Sequence, residues 1–192
     1  MLTETGTLSE AELEQCRRYV EQTGHGVTAA TRGLSEEQWT FKPSAERWSI
    51  AEIVEHMVLV QELVLGPIQA GLAAAPEAAG SRDYRLVDDF VGSRFPDRSM
   101  KLQVPEPARP SGRWAPSEAL ERLTANCGRL TEYVESTPDI RRRTIEAAPL
   151  AAISKGELKE MDGYQWVLAV AAHTERHTKQ IREVQGDSGY PG

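Results

Sequence analysis

Three of the four histidines in this chain stand where imidazole nitrogens could share one metal ion. His173 and His177 are four residues apart, so on a helix they stack on one face about one turn apart. Both rings can then point at a common atom. His56 lies on a different apolar stripe, about two turns into its own helix. Three imidazoles at about 2.0–2.1 Å from a divalent ion leave at least one coordination position open for water or substrate. A histidine on an apolar stripe can equally be a hydrogen-bonded core residue, so a polar core layer without metal stays open as a reading.

Two neighbouring metal patterns do not fit. The zincin motif places Glu directly after its first His, whereas Thr174 follows His173 here. Glu175 is rotated about 200° from His173 around a helix and points away from such a site. The di-iron bundles use paired Glu-x-x-His motifs, and neither Glu52 nor Glu175 has His three residues later. Glu52, one turn before His56, could orient that ligand or cap its helix. Arg176 lies about 300° from His173, near the edge of the ligand face, and Gln180 follows His177 by three residues. Each could reach the site or bridge helices. Cys16 and Cys127 fall on core stripes, where a small buried thiol packs rather than reacts. His25, between two glycines, reads as solvent-facing. No catalytic acid, base or nucleophile can be assigned from residue types alone.

Four stretches of helical periodicity must position these residues, and none shows strand alternation. The first runs from about Ser9 to Leu34, with Ser9 and Glu12 forming a capping box. The second starts at Ser49, where Ser49-Ile50-Ala51-Glu52 is another such box, and ends or kinks at Gly66-Pro67. Residues 68–75 could continue it past the kink. The third opens at Pro116 and stops at Pro138. The fourth starts near Asp162, with Gln165 as the third helical residue, and ends at Gly186. Residues 76–115 carry five of the eleven prolines and read as a long irregular crossover. Residues 139–160 are mixed and charged, with room for a short helix or turn. Trp39, Phe41 and Trp48 flank the start of the second helix and read as packing that fixes it. Trp114, just before the third, could also line a pocket mouth. Four helices with one apolar stripe each predict an all-α four-helix bundle.

Composition bounds the rest. At 192 residues the chain is most simply one domain, residues 1–192, large enough to fold without disulfides or a structural metal. A metal would then serve chemistry more than stability. The 22 basic residues against 29 acidic ones give a net charge of -7, which argues against a nucleic-acid partner. It also offers no polybasic route to a membrane surface. The longest apolar stretch, residues 50–75, is interrupted by Glu52, Glu55, His56, Gln61 and Glu62, too often for a membrane span. The first residues show no secretory signal, which predicts a cytoplasmic protein.

Two blocks then resemble a known family. Trp39-x-Phe41-Lys42-Pro43, Arg47-Trp48-Ser49-Ile50-Ala51-Glu52 and His56 are similar to the opening signature of the DinB-like superfamily. Residues 171–181, from Ala171 through His173-Thr174-Glu175-Arg176-His177 to Gln180-Ile181, are similar to its closing signature. The resemblance implies an up-down-down-up bundle with a long crossover between helices 2 and 3. It implies a divalent metal, zinc or nickel, on His56, His173 and His177, and a homodimer. Relatives include bacillithiol and mycothiol S-transferases, a mycothiol-dependent maleylpyruvate isomerase and metal-dependent hydrolases. The implied function is a metal-dependent enzyme that activates a low-molecular-weight thiol cofactor or water against a small-molecule substrate. The alternative is a non-catalytic metal-binding helical dimer. The family motif does not carry a substrate with it.

Overall fold

The computed structural model describes residues 7–78, 83–100 and 103–192. Residues 1–6, 79–82 and 101–102, which include part of the N-terminal stretch and of the crossover, lie outside the described residues.

Helices begin where the side chains supply caps. Helix α1 (Glu10–Ala30) starts behind Ser9, whose hydroxyl accepts the Glu12 amide while the Glu12 carboxylate accepts the Ser9 N–H at 2.7 Å. It ends earlier than Leu34. Gly33 sits at φ +72, a left-handed conformation that side chains rarely adopt, and reverses the chain. A short α2 (Glu36–Thr40) follows and buries Trp39. Helix α3 (Ile50–Leu63) starts at the Ser49–Glu52 box. It does not stop at Gly66-Pro67: a π turn over Val64–Ile68 carries it into α4 (Gln69–Ala74). Proline lacks an N–H, and a wider turn accommodates the missing bond without breaking the helix. By length and composition alone Ile50–Ala74 could cross a membrane, contrary to the expectation from its interrupting charges. Its Ile53, Val54, Met57 and Val58 are buried in the protein core.

The stretch expected to be an irregular crossover contains a helix, α5 (Tyr84–Arg94), capped by Asp83, and a 3₁₀ turn over Glu106–Ala108. Helix α6 (Pro116–Ser136) opens on its proline. Residues 139–160, read as mixed, hold α7 (Ala148–Ile153). Two short strands also form where none was expected. Strand β1 (Thr144–Glu146) pairs antiparallel with β2 (Glu160–Asp162), Ile145 opposite Met161. Three residues are too few to show alternation. Strand β2 delivers Asp162 as the N-cap of α8 (Gly163–Gln185), with the Gln165 box in place.

Among the described residues, the long helices α1, α3, α6 and α8 form the bundle, with α5 packed on α8. Contacts along the helices give their directions. Tyr164 bonds to Glu12, Tyr19 to Glu175 and Gln185 to Ala30, so α1 and α8 run the same way. Trp48 lies near His177 and His56 near His173, so α3 runs against α8. Glu55 bonds to the turn before α6, and Glu62 pairs with Arg122 farther along it, so α6 runs with α3. The apolar core forms two clusters. On α8 one ends at Ala172 and the other resumes at Ile181. Residues 173–180, the polar histidine block, lie between them.

One buried cation ties the periphery to this frame. Arg141, 2% exposed, donates to Asp88 of α5 at 2.7 Å, to Glu12 of α1 at 2.9 Å and to Asp162 at 3.3 Å. Its guanidinium also lies 4.1 Å from the Tyr164 ring centroid. Arg141→Ala leaves the buried Asp162 and the half-buried Asp88 without their cation and is expected to cost about 3–5 kcal/mol in urea unfolding. A loss under about 1 kcal/mol, the range of surface pairs, contradicts this role.

Candidate metal centre

Helix α3 presents His56 and helix α8 presents His173 and His177 into one space. The ligand atoms of the three rings all lie within 4.8 Å of one another. Ring centroids are 4.3 Å apart for His173–His177, 4.7 Å for His56–His177 and 4.9 Å for His56–His173. His56 and His177 are buried, and His173 is half-buried.

Hydrogen bonds decide which nitrogen faces inward on two of the three rings. His56 donates its Nδ1–H to the Ala108 carbonyl at 2.7 Å, which leaves Nε2 as a lone pair. His177 donates its Nδ1–H to Gln180 Oε1 at 2.7 Å, which likewise frees its Nε2. The His56 and His173 Nε2 atoms face each other at 3.0 Å. Tetrahedral bonds of about 2.0–2.1 Å set two ligand nitrogens about 3.3 Å apart, so this spacing fits a shared divalent ion.

The electrostatics keep the rings neutral. Burial lowers the proton affinity of His56, against the opposing pull of the Ala108 carbonyl. Burial lowers that of His173 well below the ordinary value, helped by His177, His56 and Arg176. His177 is depressed in the same way, first by burial and then by His56. Neutral imidazole is the form that binds metal.

Other expected residues divide. Glu52 completes the α3 capping box by accepting the Ser49 N–H and pairs with Lys42 at 2.9 Å. Glu175 does point away, to Tyr19 at 2.8 Å and Lys179 at 2.7 Å. Gln180 does reach the site, through His177. Arg176 holds the Met100 carbonyl rather than the centre. Burial pushes the Cys16 thiol up to about 12 and raises that of Cys127 as well, so neither offers a thiolate at neutral pH. His25 is exposed. Trp48 packs 4.9 Å from His56 and 6.4 Å from His177, centroid to centroid, so it walls the centre as well as fixing the helix start. Phe41 packs edge-on against Tyr190. Trp114 lies under Arg122 and Arg113. It does not line the cavity of about 480 Å³ beside Trp48, whose walls are Trp48, Glu52, Gln103, Val104, Arg109 and Pro110.

Residue-type reasoning misses Glu55. This carboxylate, next to His56, is buried and accepts the amides of Ser111 at 2.9 Å, Gly112 at 2.8 Å and Arg113 at 3.4 Å. Gly112 adopts φ +73 to bring these N–H groups together. The clamp holds the loop whose Ala108 carbonyl orients His56. A carboxylate inside an apolar helix face was the available signal, since such a group needs partners.

Glu55→Gln turns charge-assisted bonds into neutral ones and presents an NH₂ to backbone donors. It is expected to lower stability by about 1–3 kcal/mol in urea unfolding. Zinc affinity is expected to fall about 10-fold in chelator competition, because His56 loses its fixed acceptor. Unchanged affinity would show that the clamp does not act on His56.

The chain is 23% identical to the uncharacterized protein YuaE of Bacillus subtilis (strain 168) over 155 residues, 80% of this chain and 87% of that one. Its fold matches that of YfiT from Bacillus subtilis, described as a probable metal-dependent hydrolase with an unusual four-helix bundle topology. The TM-score is 0.62 at 14% identity, over 100% of this chain and 94% of YfiT. The profile of the DinB superfamily matches residues 19–181, which span both histidine blocks, and the chain belongs to that superfamily.

Proposed function

We propose that the chain is a divalent-metal enzyme whose open coordination position activates the sulfur of a small thiol for attack on an electrophilic substrate. The observation that carries this reading is the facing pair of Nε2 atoms on His56 and His173, with the His177 Nε2 freed by Gln180. Zinc and nickel, ions that take imidazole nitrogen, suit the donor set. Such an ion lowers the pKa of a thiol or water that shares its coordination sphere.

The chain's own residues perform the rest. His56, His173 and His177 supply three neutral donors, so a bound ion keeps its full positive charge. Trp48 shields one side from water. The cavity of about 480 Å³ that shares Trp48 with the centre, with Arg109 on its wall, offers room for a small substrate.

The disposition of carboxylates favours thiol over water as the nucleophile. Among the described residues none joins the three histidines. Glu52 is held by Lys42, Glu55 by the loop amides, Glu175 by Tyr19 and Glu183 by Arg98. Hydrolysis commonly uses a positioned base to take a proton from water. A thiol, already far more acidic, needs only the ion and solvent.

Protein purified without a histidine tag or nickel resin and loaded with one zinc equivalent is expected to consume monochlorobimane with at least one of a panel of small thiols. Chelation is expected to abolish the reaction, and restored metal to recover it. His177→Ala is expected to fall to the uncatalysed rate. Thiol-independent, chelator-sensitive hydrolysis of p-nitrophenyl acetate would replace this reading with the hydrolase. Stoichiometric metal with neither activity would replace it with a non-catalytic metal protein.

A further inference from the structure

The crossover sends one more residue to the centre. Arg98 lies just beyond α5, in a segment strapped across the second half of α8. Lys179 donates to the Pro96 carbonyl and Arg176 to the Met100 carbonyl. Between them Arg98 makes a two-pronged ion pair with Glu183, Nε to Oε1 at 3.1 Å and Nη2 to Oε2 at 2.8 Å. Its remaining arm, Nη1, donates to Gln180 Oε1 at 3.2 Å. That same oxygen accepts the Nδ1–H of His177 at 2.7 Å.

We infer that Arg98 is a positioning residue that, by fixing the Gln180 amide, sets which nitrogen of His177 carries the proton and so whether its lone pair faces the centre. A guanidinium has donors and no acceptor. Gln180 must therefore turn its oxygen, not its NH₂, toward Arg98. The NH₂ group in that place would oppose the cation. With the oxygen held there, His177 finds an acceptor and keeps its proton on Nδ1. Its Nε2 is then the lone pair that faces His56 and His173. Without Arg98 the amide is free to turn over, its NH₂ would favour the other tautomer, and the lone pair would point away. Glu183 holds the guanidinium plane, and so the direction of the Nη1–H.

The inference rests on the proposed metal function only for its second readout. The first is the His177 tautomer, read by long-range ¹H–¹⁵N correlation on metal-free protein at pH 8, where imidazole is neutral. Wild type is expected to show the Nδ1–H form and Arg98→Ala a mixture. Gln180→Glu carries an acceptor in either orientation, so Arg98→Ala/Gln180→Glu is expected to return to Nδ1–H. The second readout is zinc affinity in chelator competition. Arg98→Ala is expected to weaken it about 10- to 100-fold in the Gln180 background. In the Gln180→Glu background the same change is expected to cost less than about 3-fold, a coupling between the two sites. If Arg98→Ala does not fold, Arg98→Lys keeps an ion pair with Glu183, gives up the arm aimed at Gln180, and carries the same test. An Nε2–H tautomer in wild type overturns the inference. So does an unchanged tautomer in the variant, or an equal loss of affinity in both backgrounds, which would make Arg98 only a strap. Wild type that binds no zinc but shows the Arg98-dependent tautomer would remove the metal function and leave the relay standing.

Discussion

Three imidazoles meet inside a helical bundle, and their protons and lone pairs must all be accounted for. A buried polar group without a partner costs on the order of 1–3 kcal/mol, and a buried imidazolium more. The structure answers with outward acceptors for two of the rings, the Ala108 carbonyl for His56 and the Gln180 amide for His177. Once those bonds are made, the inward nitrogens of His56 and His177 are lone pairs. The His56 lone pair lies 3.0 Å from His173 Nε2, a spacing that calls for a cation or a proton between the two nitrogens. The centre's capacity for a metal follows from this.

The two acceptors come from different places, and the fold is organised to bring them in. The Gln180 amide stands on α8 itself. The Ala108 carbonyl comes from the crossover and is held by the Glu55 clamp, one residue along α3 from the ring it serves. The crossover also contributes α5, which packs on α8 and is tied by Asp88 to Arg141 and so to α1 and the α8 cap. A segment that joins two bundle helices thereby acts as a wall of the centre. The mixed lining beside Trp48, with Arg109 and Pro110 from the same loop, is a consequence.

How much of this can be read from the residues follows from what kind of atom does the work. Capping boxes are side-chain signals, and those at Ser9, Ser49 and Asp162 all form. The three histidines are equally visible, because their type and stripe positions are local properties. The Ala108 acceptor is a backbone carbonyl, which leaves no trace in residue identity. Helix α5 buries only Val87 and Val91, too weak a stripe to stand out among charged neighbours. The π turn at Pro67 is a backbone adjustment that the proline signals only as a break. Gln180, close to His177 on the same helix, was within reach of spacing arguments. Arg98 was not, since its destination depends on the path of the crossover.

The central claim is that His56, His173 and His177 together bind one divalent ion and leave a position open. Zinc K-edge X-ray absorption on protein loaded with one equivalent of zinc tests it most directly. The account predicts three imidazole nitrogens at about 2.0–2.1 Å and one further light ligand from solvent, with imidazole scattering reduced in His56→Ala. A spectrum with fewer than three imidazoles, or one unchanged in His56→Ala, would contradict it.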